Sequence, residues 1–134
     1  MTANIAWTND ELESIGAAEE MEIAPLRSNG TLRRPVTIWV VSVGDDIYVR
    51  SVNGRTAAWF QAAQVRHEGH IEAGGVEKDV TFVNVERDSD QNLKDRIDSA
   101  YRSKYRRYAE SIVNSTLTAQ AQAATLKLVP RASS

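Results

Sequence analysis

The residues best placed to do chemistry stand together in one short run, Arg50-Ser51-Val52-Asn53-Gly54-Arg55. Gly54 lets the backbone turn without steric cost, and the N–H groups leading into the next helix offer donors at one point. A phosphate there would gain backbone hydrogen bonds, the helix dipole and a bidentate guanidinium contact. The same run also describes a plain strand-to-helix turn with arginines on its surface, since Asn-Gly and Gly-Arg pairs are common in turns. Arg34, next to Arg33 before a long apolar stretch, reaches the same ligand if the chain curls back; otherwise the pair are solvated gatekeepers. Trp39, Trp59 and Phe60 are close enough in sequence to wall a flat ring system, or else to fill a core or a subunit interface.

Other chemistries find less support. His67-Glu68-Gly69-His70 places its histidines three apart in a strand-like, glycine-containing stretch. A zinc-binding helix needs them four apart on one face, so no metal site is expected. His67 could serve as a hydrogen-bond donor or proton carrier near neutrality, though a surface histidine is the simpler reading. With no cysteine, thiolate nucleophiles, disulfides and Cys-based zinc sites are excluded together. Glu19, Glu20 and Glu22 follow a helix end and Asp45-Asp46 sit in a turn, neither with an acid–base signature. There is no nucleophile elbow, Walker loop or GxGxxG. Arg102, Lys104, Arg106 and Arg107 could suggest RNA, but with a net charge of −2 they read as a solvated face, and no nucleic-acid partner is expected. The opening MTANIAWTNDELE carries no secretory signal, and no apolar run approaches the ~20 residues that cross a bilayer. The expectation is a cytoplasmic protein with no membrane partner.

The elements that must position these residues are legible in outline. The 134 residues suit one domain, 1–134. Thr8 and Glu11 form a capping-box pattern that starts a helix over 8–20, with Gly16 weakening its middle. Residues 21–26 alternate as a strand that Pro25 marks as an edge or an end, and Ser28-Asn29-Gly30 is a turn. Residues 34–55 read as a β-hairpin about Gly44-Asp45-Asp46. Its first strand is apolar on both faces, Val36, Ile38 and Val40 opposite Thr37, Trp39, Val41 and Val43, so both sides must be covered. The alanine-rich 56–66 reads as a short helix, and 67–86 as two strands about Gly74-Gly75, the second again two-faced. After a polar connector, with Asp90 or Asn92 as cap, Leu93, Ile97, Tyr101, Tyr105, Tyr108 and Ile112 stripe one long helix, 93–114. The three tyrosines either fill a core or line a ligand cavity. A short helix over 118–124 and a last strand within 124–130 follow. The predicted class is β-rich α+β, about six strands closed into a small barrel, with the main strands between 21 and 86 and two to four flanking helices.

Two resemblances add to this reading. ELESIGAAEEMEIAP, GTLRRPVTIWVVSVGDDIYVRSVNGRTAAWF, HEGHIEAGGVEKDVTFV and DRIDSAYRSKYRRY resemble a family of small bacterial proteins known only as a domain of unknown function, over 7–131. More remotely, residues 34–85 resemble the split β-barrel of the pyridoxamine-phosphate-oxidase-like and deazaflavin-dependent nitroreductase groups. The matching features are Arg34, the Gly44-Asp45-Asp46 turn, Tyr48-Val49-Arg50-Ser51, Gly54-Arg55, Trp59, and Gly69 with Ile71. The departures are the missing phosphate-segment lysine and the missing Asn-Pro near Val65-Arg66-His67. The resemblance implies a dimeric FMN- or deazaflavin-binding, oxidoreductase-like protein. Arg34, Arg50, Ser51, Asn53, Gly54 and Arg55 would hold the phosphate, and Trp39 or Trp59 would lie near the ring. The competing expectation is a non-catalytic small-ligand-binding or interaction protein that keeps the barrel and no cofactor.

Overall fold

The computed structural model describes residues 6–85 and 91–131. Thr8 caps the first helix, α1 (Asn9–Ala17): its hydroxyl accepts from the Glu11 amide at 3.1 Å, and the Glu11 carboxylate accepts from the Thr8 amide at 2.9 Å. That reciprocal pair is the capping box the sequence predicts, although the helix ends three residues short of position 20. The strands are β1 (Met21–Pro25), β2 (Val36–Ile38), β3 (Val41–Val43), β4 (Asp46–Arg50), β5 (Glu68–Ala73), β6 (Val76–Asn84) and β7 (Thr125–Pro130). A 3-10 turn (Gly54–Thr56) and α2 (Ala58–Arg66) follow β4, while α3 (Gln91–Lys104), α4 (Glu110–Asn114) and α5 (Ala119–Gln122) precede β7. Asn92 lies inside the first turn of α3, and Asp90 falls outside the described residues.

All seven strands belong to one antiparallel sheet, in the order β2-β1-β5-β6-β7-β4-β3. The two edge strands, β2 and β3, are consecutive in the chain and only Trp39 and Val40 separate them. A sheet whose edges are joined by two residues must curl on itself, and the result is the half-closed barrel of the split-barrel class. The long strand predicted over 36–43 is therefore two strands, one pairing with β1 and the other with β4. Pro25 lies at the end of β1, opposite Gly69, and β1 itself is interior.

The two-faced pattern has a direct counterpart in two apolar clusters. Val40, Met21, Ile23, Ile47, Val49, Ile71, Val80, Phe82, Leu126 and Leu128 fill the barrel, with Ile15 of α1 and Phe60 of α2. Val41, Val43 and Tyr48 face outward, where Ile97, Tyr101 and Tyr105 of the α3 segment and Val113 of α4 cover them. The pattern overreaches at Val36 and Thr37, which are exposed, and at Val83 on the outer face of β6, which is 40% exposed. The single helix predicted over 93–114 is broken. Residues 105–109 leave the helical path, so the stripe splits into buried Ile97, Tyr101 and Tyr105 and an exposed Ile112.

One close approach in the sheet constrains the sequence sharply. A Cβ on Gly69 would lie 2.6 Å from the Ala24 carbonyl oxygen of β1 and 2.7 Å from the buried Phe82 ring. Neither neighbour can move without disturbing the barrel. Gly69→Ala is expected to cost about 1–3 kcal/mol, the range for overpacking a core. Urea denaturation at constant m-value would register it.

Candidate functional site

Arg50 ends β4 on the same outer face as Tyr48, covered by α3, with 3% of its surface exposed. Its Nη1 donates to the Asp98 carboxylate at 2.5 Å and to the Thr116 carbonyl at 2.9 Å, and its Nε donates to the Thr125 hydroxyl at 3.1 Å. Asp98 also accepts from the Gln122 amide at 3.1 Å. The Arg50 guanidinium carbon lies 5.5 Å from the centre of the Tyr101 ring. The second terminal nitrogen, Nη2, has no partner. Ser51 Oγ and Tyr101 Oη are likewise buried and unpaired, and these three are the only such side-chain atoms among the described residues.

All three residues line the same cavity, about 360 Å³ in volume. Ile38 and Trp39, at the end of β2, form one wall; Trp59, in the first turn of α2, forms another. Thr116 closes the inner end beside Arg50, and Glu20 and Asn53 stand at the rim. The partly exposed Val36, Val52 and Ile112 give the mouth an apolar lip. Buried donors are normally satisfied by protein or water, and each orphan costs roughly 1–3 kcal/mol. All three orphans belong to residues that border one cavity, and they lie just beneath its surface.

Of the sequence-predicted site residues, Arg50, Ser51, Asn53 and Trp59 border this cavity, together with Trp39. Gly54, Arg55 and Arg34 do not. Gly54 has φ +78°, and a Cβ there would strike the Gln120 side chain at 2.4 Å, so the residue serves a sharp turn against α5. That turn carries Arg55 away from Arg50, to donate to the Ala123 carbonyl at 3.1 Å and to cover the Phe60 ring at 5.3 Å. Arg34 is exposed before β2. The tyrosines divide: Tyr101 lines the cavity, whereas Tyr105 and Tyr108 pack behind Trp39, with ring centres 3.8 and 4.9 Å away. The Tyr105 hydroxyl accepts from the Val40 amide at 3.1 Å and donates to the Glu19 carbonyl at 2.7 Å. Burial pushes its phenol pKa up to about 12 and raises that of Tyr101 further.

The basic residues after Tyr101 have separate fates. Lys104 folds back to donate to the Val40 carbonyl at 2.6 Å, and Arg107 pairs with Glu19. Arg102 and Arg106 are exposed. The histidines are also apart. His67 caps α2 in a left-handed conformation (φ 57°), and His70 on β5 meets Asp79 at 2.9 Å and Glu77 at 3.2 Å. Partial burial lowers the His70 pKa, but those hydrogen bonds and charges outweigh it and hold the ring above its ordinary value. Sequence reasoning missed Asp98. Its only signal was an acid one position after Ile97 and three before Tyr101, on the flank of the apolar stripe.

Fold and site together define a split-barrel protein with a half-open, aromatic-walled cavity beside a buried arginine. The chain belongs to the family described as "Uncharacterized protein conserved in bacteria (DUF2255)", whose profile matches residues 11–128. No curated protein matches it significantly. Among solved structures it is similar to HutZ, the heme storage protein from Vibrio cholerae (TM-score 0.61, 15% identity, 96% of this chain and 93% of that one). It is also similar to ChuZ from Campylobacter jejuni (TM-score 0.65, 15% identity), of which it spans 50% with 88% of its own length. A third is the FAD and heme binding protein from Mycobacterium smegmatis (TM-score 0.52, 15% identity, 95% of this chain and 67% of that one). At these identities the likeness is one of fold. Among the described residues no helix is long and apolar enough to cross a membrane.

Two predictions follow from the charges around the site. Removing the Asp98 carboxylate strands a buried guanidinium, so Asp98→Ala should cost about 3 kcal/mol or more in urea unfolding, and Asp98→Asn less. Lys104 should show a distinct pH dependence, because burial lowers its pKa from 10.5 to about 8. Between those values the unfolded chain binds a proton that the folded chain has lost, so stability contributed by this group rises with pH. Lys104→Met should flatten that rise between about pH 8 and pH 10, measured by chemical denaturation across the window.

Proposed function

We propose that this protein binds a planar heteroaromatic cofactor of the flavin or deazaflavin type in the cavity between Trp39, Trp59 and Tyr101. The observation that carries the reading is that Arg50, Ser51 and Tyr101, whose Nη2, Oγ and Oη are buried without partners, all border one aromatic-walled space. Flat walls suit a ring, and fixed donors suit its carbonyl and nitrogen acceptors. The split-barrel neighbours support a cofactor of this kind, since one is described as an FAD and heme binding protein and another as a heme storage protein. A heme fits the lining less well, because among the described residues no His, Cys or Met borders the cavity. The one phenol there, Tyr101, has its pKa raised by burial, which disfavours the phenolate that would bind iron.

The redox chemistry would belong to the bound cofactor. The chain's own part is to orient the ring through Arg50, Ser51 and Tyr101 and to exclude water with the two tryptophans. Among the described residues Glu20 is the only carboxylate on the lining, and it stands at the rim. That scarcity favours, as a second reading, a carrier or sensor of the ligand over an enzyme that transforms it.

Purification from a host that makes both cofactors tests the proposal, with visible absorbance and the ligand released on denaturation as readouts. Titration with FMN, FAD or a deazaflavin should quench tryptophan fluorescence saturably, because Trp39 and Trp59 border the cavity. Ser51→Ala should weaken that binding roughly 2- to 10-fold, the scale of one hydrogen bond. A colourless protein that none of the three ligands quenches would sink the reading, and a Soret band with hemin alone would hand the cavity to heme.

A further inference from the structure

We infer that the inner end of the cavity recognises the neutral, carbonyl-bearing edge of the ring and not a phosphate. The inference rests on the flavin-type reading above and reverses the polarity that the arginine-rich run suggests. Three observations carry it. Among the described residues Arg50 is the only cation on the lining, and its charge is already matched by Asp98 at 2.5 Å. The two further arginines that would have made a phosphate cradle face elsewhere, Arg55 on the Ala123 carbonyl and Arg34 outside the cavity. The remaining charge on the lining is negative, from Glu20 at the rim.

Arg50 and Asp98 together leave the inner end without net positive charge, and Glu20 adds a negative charge at the rim. A dianionic phosphate brought to Arg50 would lose its hydration to meet an ion pair, with a carboxylate opposing it. A ring carbonyl asks for donors and no counter-charge. The cavity wall holds unspent groups of that kind just beneath its surface: a guanidinium N–H fixed by its other bonds, and two hydroxyls that can each donate or accept. The size agrees. At about 360 Å³ the cavity is near the lower end of the ~300–1,000 Å³ typical of ligand pockets, and its lip is apolar at Val36, Val52 and Ile112. A ring system fills such a space and leaves a charged tail at the solvent-facing mouth.

Equilibrium titrations of the whole protein with lumiflavin, riboflavin and FMN, read by tryptophan quenching, separate the alternatives. Lumiflavin and riboflavin should bind within about threefold of FMN, and Tyr101→Phe should weaken all three by a similar factor. Glu20→Gln, at an exposed position, should raise the affinity for FMN relative to riboflavin by about two- to fivefold, since it removes a negative charge from the mouth. Asp98→Asn should do the same by freeing the Arg50 charge to meet a phosphate at the inner end. FMN binding tenfold or more tightly than riboflavin would overturn the inference while leaving the flavin-type reading in place. A ratio unmoved in both variants would overturn it too. Failure of all three ligands to bind would overturn the inference and that reading together.

Discussion

The bend at Trp39–Val40 is the constraint on which the rest of the molecule depends. A strand that ran straight through it would belong to one edge of the sheet and leave the barrel open. Instead the chain crosses from β2 at one edge to β3 at the other. The crossing takes Val40 off the strand ladder, and a buried residue there, with no exposed surface, cannot turn to water for its backbone bonds. The helical segment after the barrel supplies them: Tyr105 accepts from the Val40 amide and Lys104 donates to its carbonyl. Trp39 is fixed at the same point by lying nearly parallel to Tyr105, 1° from coplanar. The lowered basicity of Lys104 is the visible cost, an ammonium group drawn partly out of water to complete a turn.

The same bend makes the cavity. Trp39 is a cavity wall on one side and a stacking partner on the other, so closing the barrel and shaping the site are one event. On the opposite side, Arg50 is held by three groups from three segments: Asp98 of α3, the Thr116 carbonyl after α4, and Thr125 at the start of β7. Those bonds fix the guanidinium plane and leave Nη2 buried without a partner. A buried ion pair rarely adds stability over an apolar replacement. Here it delivers a rigid donor whose charge is already compensated, a combination suited to selecting among neutral acceptors.

Much of this was legible in the residues, and the failures have common causes. The capping box at Thr8, the hairpin about Gly74-Gly75 and the short helix after the 3-10 turn are local, and local signals named them correctly. The two apolar faces of 36–43 correctly implied cover on both sides, since Val40 and Val41 enter different clusters. The break within that stretch left no local trace. Trp39 and Val40 contain no glycine or proline, and the cause is a tyrosine 65 residues further on. The helix break after Lys104 is similarly hidden, because Tyr105 is held by tertiary bonds while the apolar spacing runs on through Tyr108 and Ile112. Arg55 misled for a related reason. Gly54 was correctly read as a turn, but the sense of that turn, set by its positive φ, sends the following arginine away.

Asp98 shows why the candidate site was harder to read than the fold. Charged positions on an amphipathic helix usually face water, and most of those around Tyr101 do. One acid on the flank of the stripe becomes buried because a single cation from β4 meets it, and neither residue announces the other across 48 positions. Pairing that far apart is invisible to spacing rules. It also bears on the proposed chemistry, because an unpaired Arg50 would be free to counter a phosphate, whereas here its guanidinium charge is matched by Asp98. A barrel shaped for stability alone would have no use for Ser51 and Tyr101 hydroxyls left unbonded beside that pair. Alanine and phenylalanine would keep the packing and remove both desolvation costs. Their presence at the inner end, together with a compensated arginine, is the strongest physical reason to regard this cavity as a binding site and not a packing defect.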